Sequence, residues 1–193
     1  MTERASTRDR MLDAAESLMR EGGLAAAGIK QLVERGGAPI GSVYHHFPGG
    51  KTELAALALE RHGEKAERLL ASVFQSDAPV RERVLALCTK AARGFEQSGR
   101  HKSCAIGNVT LDVGPDEPEL RDACAHAFDR WVNVIADSLP WRDSSARRSF
   151  AEMVVIGFEG AFVLGRARQS GEPFRAAGRW LAAAADSMER KSK

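Results

Sequence analysis

The 193-residue chain is poor in the features that staple, span or catalyse. It has three cysteines, Cys88, Cys104 and Cys124, scattered along its length. That is too few and too dispersed for a disulfide scaffold, and no Cys/His spacing suggests a zinc site. Its single tyrosine is Tyr44. No apolar run reaches the roughly 18 residues a membrane span requires, and no charged-then-apolar amino-terminal segment resembles a secretion signal. The cytoplasm is therefore the expected compartment, without membrane contact. No alternation of β-branched and polar residues suggests strands. There is no Gly-x-Ser-x-Gly elbow, Walker pattern, metal-ligand set or paired acid and base, so no enzyme activity and no cofactor or metal is expected.

The composition is otherwise ordinary, with 44% hydrophobic and 28% charged residues and a formal net charge of +2. Gly and Pro cluster at the ends of periodic runs rather than inside them, and the chain is expected to be all-helical. Thr7 or Ser6 can cap a first helix whose first turn carries Asp9. Met11, Leu12, Ala15, Leu18 and Met19 recur at helical spacing until Gly22-Gly23 ends the run. A second short helix, about Ile29 to Arg35, offers Ile29, Leu32 and Val33 to the interior. A third, very short helix follows the Gly36-Gly37 turn, with Pro39 in its first turn, where a missing N–H costs nothing. Val43 and Phe47, four residues apart, face the same core; Ser42, Tyr44, His45 and His46 face outward. A helix this short is marginal alone and has to be braced, because nucleation costs more than two turns of hydrogen bonds return. Such a braced, polar-faced helix behind a glycine turn suits a helix-turn-helix, which pushes side chains into a DNA major groove.

The segment Gly37-Ala38-Pro39-Ile40-Gly41-Ser42-Val43-Tyr44-His45-His46-Phe47-Pro48-Gly49-Gly50-Lys51-Thr52-Glu53-Leu54 resembles the recognition turn and helix of TetR-family transcriptional regulators, in particular the LmrA/YxaF-like branch. Ser103 to Leu111 and the Ala127-Phe128-Asp129-Arg130-Trp131 stretch resemble it more weakly, so that the likeness spans nearly the whole chain. It implies backbone contacts from Tyr44, His45 and Lys51, the last beside a helix N-terminus that itself attracts phosphate. Two departures from the family pattern stand out. Ile40 replaces the common Lys or Arg; it cannot hold a phosphate but can pack on a thymine methyl. Gly28 stands where a capping Ser or Thr is usual. Base reading then rests on Ile40, the Gly41 backbone and Ser42.

Bulk charge does not favour DNA. Residues 1–50 hold six bases (Arg4, Arg8, Arg10, Arg20, Lys30, Arg35) and six acids (Glu3, Asp9, Asp13, Glu16, Glu21, Glu34). Placement must supply what the sum does not. Arg4, Arg8 and Arg10 at the start form either a disordered tail or a minor-groove arm, and Lys30 and Lys51 sit near helix starts. One head should bind modestly, and tight binding should need two.

Residues 1–50 are thus expected as the helix-turn-helix domain and 51–193 as a larger helical domain for effector binding and dimerisation, fused through a long helix from Lys51 to Phe74. The Asp77-Ala78-Pro79 stretch breaks that helix. An amphipathic helix through Val84, Leu87, Cys88, Ala91 and Phe95, a short element around Asn108, and a long helix from Glu119 to Leu139 follow. From Met153 to Gly165 the only charge is Glu159. A helix so apolar all round leaves one face uncovered in a monomer. Gly157, Ala161 and Gly165 at i, i+4 and i+8, with Gly160, permit close helix approach. A last helix, Phe174 to about Met188, adds Ala177, Trp180, Leu181 and Ala184. Two such helices from each chain would form an isologous four-helix interface, as in the family, and a twofold homodimer predicts an inverted-repeat DNA operator.

Phe95, Phe128, Trp131, Phe158 and Phe162, with Cys104, Asn108 and Thr110, suit a cavity for a small lipophilic or aromatic effector; the same aromatics also suit plain core packing. Glu159 can line that cavity, pair in the interface or reach water. The cysteines are packed or idle thiols, with Cys104, beside a loop, as a candidate redox sensor. The expected function is a ligand-responsive regulator of transcription, a homodimeric repressor released from its operator by the effector. An activator with the same contacts and a helical protein-binding adaptor are the alternatives.

Overall fold

A computed structural model describes residues 6–191, and among these every regular element is a helix. In chain order they are α1 (Thr7–Ala26), α2 (Ile29–Gly36), α3 (Ile40–His46), α4 (Gly50–Phe74), α5 (Val80–Gln97), α6 (Ala105–Asp112), α7 (Pro118–Asp137), α8 (Ser144–Arg168) and α9 (Glu172–Lys191). No described helix is long and apolar enough to cross a membrane. The residues expected to start and stop helices do so to within a few positions, with two informative exceptions. The apolar stretch from Met153 to Gly165 is the middle of the longer α8, which Asp143 caps by accepting from the Ser145 and Ala146 amides. The Gly22-Gly23 pair kinks α1 instead of ending it.

The chain packs as two compact units. The first runs to Glu64 and includes Cys104–Ala127; the second holds Lys65–Ser103 and everything from Phe128 onward. The division expected at residue 51 falls near the start of α4, whereas packing carries the first unit three-fifths of the way along that helix and adds α6 and the first half of α7.

In the first unit, Ser6 caps α1: its Oγ accepts from the Asp9 amide at 3.0 Å. Met11, Leu12, Ala15, Leu18 and Met19 are buried, as the helical period demands. Leu32, Val43, Phe47, Leu54 and Leu59 close the same core. Arg10 ties α1 to the end of α2, its Nε donating to the Gly36 carbonyl at 3.2 Å, where a cation suits the helix dipole. α6 is bound along the C-terminal end of α1. The Asn108 amide nitrogen donates to the Met19 and Arg20 carbonyls at 2.9 and 3.1 Å, and the Asp112 carboxylate accepts from the Ala25 amide. Gly23 makes this approach possible. It sits at φ +70°, and a Cβ there would collide with the Asp112 carboxylate, so both backbone and space call for glycine.

In the second unit, α9 packs against α5 and α8. Phe95, Ala92, Ala161 and Phe174 form a buried cluster, with Phe158 and Phe162 against it. Arg83 collects the Phe74, Ala78 and Ser138 carbonyls, closing the ends of α4 and α7. Arg175 reaches both carboxylate oxygens of Glu96 at 3.1 Å, and Arg81 pairs with Asp186.

Candidate nucleic-acid interface

The turn between α2 and α3 hinges on Gly37, a left-handed C-cap (φ 58°, ψ 43°) whose amide bonds the Val33 carbonyl. Pro39 then becomes the N-cap of α3, one position before the first-turn place expected for it. The seven residues of α3 divide as the period requires. Val43 and the following Phe47 are 0% exposed, while Ile40 and Tyr44 are 58% and 57% exposed and His45 is open to solvent. Ser42 and His46 lie part-buried at the edges. Gly41 presents bare backbone outward, for a Cβ there meets nothing within 4 Å. The outer side of α3 therefore offers, in succession, an apolar group, uncovered backbone, a hydroxyl, a phenol and an imidazole.

Neighbouring elements complete the surface. Ile40 lines a shallow groove with Ile29, Lys30, Val33 and Glu34 of α2. Ile29 and Val33 are only part-buried, and Leu32 carries the core contact of that helix. Gly28 caps α2 without a side-chain bond. The Tyr44 ring rests against the start of α4, 3.6 Å from where a Cβ of Gly50 would stand. At that start the Gly49 amide already donates to the Glu53 carboxylate at 2.7 Å, and the Lys51 ammonium bonds the Leu24 carbonyl at 3.0 Å. The phosphate-attracting helix end is thus occupied by a carboxylate of the chain itself, and Lys51 is half-buried against α1.

The zero charge sum of the head resolves into an arrangement. Asp13 pairs with Arg61 of α4 at 2.9 Å, with Asp9 farther off at 3.7 Å; Glu16 faces His62, and Glu21 pairs with Arg35. Four of the acids are so engaged with bases of the unit, while Lys30 and His45 stay exposed. Arg8 and Arg10, expected in a disordered tail or a minor-groove arm, belong to the first turn of α1; Arg8 lies 5.5 Å over the Phe47 ring. Arg4 lies outside the described residues.

The residues expected to meet an effector fall into two groups. Cys104, Asn108 and Thr110 belong to the first unit, where the Asn108 amide is engaged with α1 and the exposed Thr110 donates to the Ile106 carbonyl at 2.8 Å. Phe95, Phe128, Trp131, Phe158, Glu159 and Phe162 belong to the second. There Phe95, Phe158 and Phe162 pack ring against ring around Phe174, with centroids 4.9 to 6.3 Å apart, and Phe128 meets Trp131 edge-on. Phe174, the hub of that cluster, was expected only as the start of the last helix and not among the effector candidates; it lies in the first turn of α9, and no local period ties it to the rings of α5 and α8. Glu159 is half-buried.

The small residues of α8 turn inward. Ala161 and Gly165 are buried, Gly165 against Phe95 and the Ser170 carbonyl, and Gly157 approaches Ala177 and the buried Leu181. The close approach they permit is made to the chain's own α5 and α9. The outward apolar face is instead Met153, Ile156, Val163 and Leu164 around exposed Gly160, together with Trp180 (80% exposed) and Ala184 on α9. Helical phasing against buried Phe150, Ala151 and Val154 could have found it, since the inward and outward sets interleave at the same period.

A buried-cored α3 with an open polar edge, set behind a left-handed glycine turn, defines a helix-turn-helix DNA-binding fold. Residues 11–58 match the family described as bacterial regulatory proteins, tetR family, and residues 80–180 match the C-terminal domain of LmrA/YxaF-like transcriptional regulators. The chain is 34% identical over 140 residues to the HTH-type transcriptional regulator YxaF of Bacillus subtilis, covering 72% of this chain and 73% of that one. It is 31% identical over 176 residues to an HTH-type transcriptional regulator of Mycobacterium tuberculosis, covering 86% and 87%. The fold also superposes, with a TM-score of 0.80 at 19% identity, on the TetR-family regulator CifR solved with 26-bp operator DNA, over 95% of this chain and 99% of that one. The protein belongs to the TetR family of bacterial transcriptional regulators, in its LmrA/YxaF-like branch. Its relatives are regulators, not enzymes.

Proposed function

We propose that this regulator is a homodimeric, cytoplasmic repressor that grips an inverted-repeat operator through α3 and leaves it when a small lipophilic or aromatic effector binds. The observation that carries the DNA reading is the division of α3: Val43 and Phe47 are fully buried while Ile40, Gly41, Tyr44 and His45 stand open. A seven-residue helix held in the core by Val43 and by Phe47 at its C-cap leaves its exposed residues available to a groove. Ile40 and its α2 groove favour thymine methyls over guanine, and Ser42 supplies a hydrogen-bonding hydroxyl.

The outward apolar face of α8 and α9 supports the dimer, because such a surface on a free monomer favours association. A twofold pair then presents two copies of α3 to one duplex. For the effector, Phe158 and Phe162 retain partial exposure on α8, which also carries half-buried Glu159, and Phe128 retains it against Trp131, so an aromatic guest would exchange ring contacts already present for its own. An effector that loosens operator binding must bind the released state better, by the same factor in which DNA weakens the effector.

The test is fluorescence anisotropy with the intergenic duplex upstream of the chain's own gene against a scrambled duplex at matched salt. Specific binding of at least tenfold is expected. Equal affinity for the two duplexes refutes the specific-regulator reading. Equilibrium sedimentation tests the pairing: a monomer at micromolar concentration removes the palindrome.

A further inference from the structure

A polar cluster inside the first unit takes no part in the α3 surface. Glu16 of α1 and Cys104, the N-cap of α6, are 9% and 5% exposed, and His62 of α4 lies between them. His62 Nδ1 is 3.2 Å from Glu16 Oε1, and its Nε2 is 3.9 Å from Cys104 Sγ. Each ring nitrogen thus has its own neighbour, so the three groups form a line rather than a chelate; among the described residues no His/Cys/Asp/Glu group could hold a metal. In the tautomer that donates Nδ1–H to the carboxylate, the Nε2 lone pair points at the sulfur. Nucleophile, base and orienting carboxylate in this order are the arrangement that activates a thiol. The Gly107 amide also donates to Sγ at 3.4 Å, placing the sulfur at the N-terminal end of α6, where negative charge is favoured. Burial pushes Cys88 up to about 12 and raises Cys124, the latter partly offset by a hydrogen bond with Thr110, so both stay protonated near neutral pH.

We propose that Cys104 is a peroxide-reactive thiol, with His62 as its base and Glu16 as the positioning residue, and that its oxidation loosens the hold of α6 on α1. At 5% exposure the site suits a reagent little larger than water. His62 Nε2 takes the thiol proton, and the sulfur attacks one oxygen of hydrogen peroxide. The S–O bond forms as the O–O bond breaks, and the departing hydroxide takes the proton from the imidazolium. Sulfur is oxidised by two electrons to sulfenic acid, and the peroxide is reduced to water. The added oxygen has to be fitted at the cap of α6, in a packed site where extra volume displaces its neighbours. α6 carries Asn108 and Asp112, which bind the Met19 and Arg20 carbonyls and the Ala25 amide, so its displacement frees the kinked end of α1.

The full-length protein is treated with hydrogen peroxide, unfolded at timed points in denaturant containing dimedone so that every sulfenic acid is reached, digested and followed by mass spectrometry. Cys104 is expected to label roughly a hundredfold faster than Cys88 or Cys124, the scale of a positioned base. His62→Gln should bring its rate toward theirs with the melting temperature kept, and Cys104→Ser should remove the label. Should His62→Gln fail to fold, Glu16→Gln replaces it, with a several-fold slowing expected. Hydrogen exchange of the oxidised protein should accelerate at residues 19–26 and remain unchanged in α9. Labelling of Cys104 no faster than of Cys88, an unslowed folded variant, or unaltered exchange at the end of α1 overturns the proposal. Neither readout uses DNA, so failed operator binding leaves it standing, and its failure leaves the operator reading intact.

Discussion

A methyl group at position 41 separates DNA contact from folding. Gly41 is the second residue of α3, and a Cβ built there touches no atom of the chain within 4 Å. In the free protein Gly41→Ala is therefore neutral to favourable: Ala exceeds Gly in a helix interior by about 0.8–1 kcal/mol, and less so near an end. The melting temperature should hold or rise slightly. In the proposed docking on DNA the methyl takes the space through which the α3 backbone approaches the groove. A misfit of about 1.4 kcal/mol per head is tenfold in affinity, and two heads on one duplex make it about a hundredfold. Anisotropy titration at several salt concentrations reads this directly. Operator affinity should fall while the salt dependence stays constant, because no charge that meets phosphate has changed. A variant that melts like the parent and binds the operator equally well would refute the placement of Gly41 at the DNA surface; one that melts markedly lower would refute the open space around it.

Other substitutions test the remaining links. Glu53→Gln removes the carboxylate that holds the Gly49 amide beside Lys51; scrambled duplex should bind several-fold more tightly in anisotropy, at a stability cost of about 0.5–1 kcal/mol by chemical denaturation. Phe47→Ala empties a fully buried ring site and should destabilise the first unit by about 3–5 kcal/mol, seen as lost amide protection in α1 to α3 with α9 protected as before. Trp180→Glu places a charge in the outward apolar face of α8 and α9 without touching the core; sedimentation should shift toward monomer and operator affinity should drop, whereas an unchanged dimer would place the interface elsewhere.

Much of the fold was legible in the residues because local rules govern helices. Ser6, Gly37, Pro39 and Pro79 act through their own backbone or nearest neighbours, so the elements they bound could be placed without tertiary information. The period of α3 likewise assigned Val43 and Phe47 inward and Tyr44 and His45 outward, which is how the structure has them. The Gly22-Gly23 pair reads locally as a stop, but the structure makes it a kink within α1. The choice fell to α6, whose Asp112 lies 89 residues beyond Gly23 and meets it only once the unit has closed.

What the sequence determined by itself is the set of helices and the polar edge of one of them, because both follow from interactions a few residues long. What only the tertiary structure decided is which partner each face meets. Gly157, Ala161 and Gly165 fit any close helix neighbour, and burial assigned them to the chain's own α5 and α9, leaving Met153, Ile156 and Trp180 outward. Lys51, Glu53 and the acids of α1 found partners inside the first unit that no charge count could assign. Glu16, His62 and Cys104 are separated by 46 and 42 positions, too far for any periodicity to link, and became neighbours because three helices share one core.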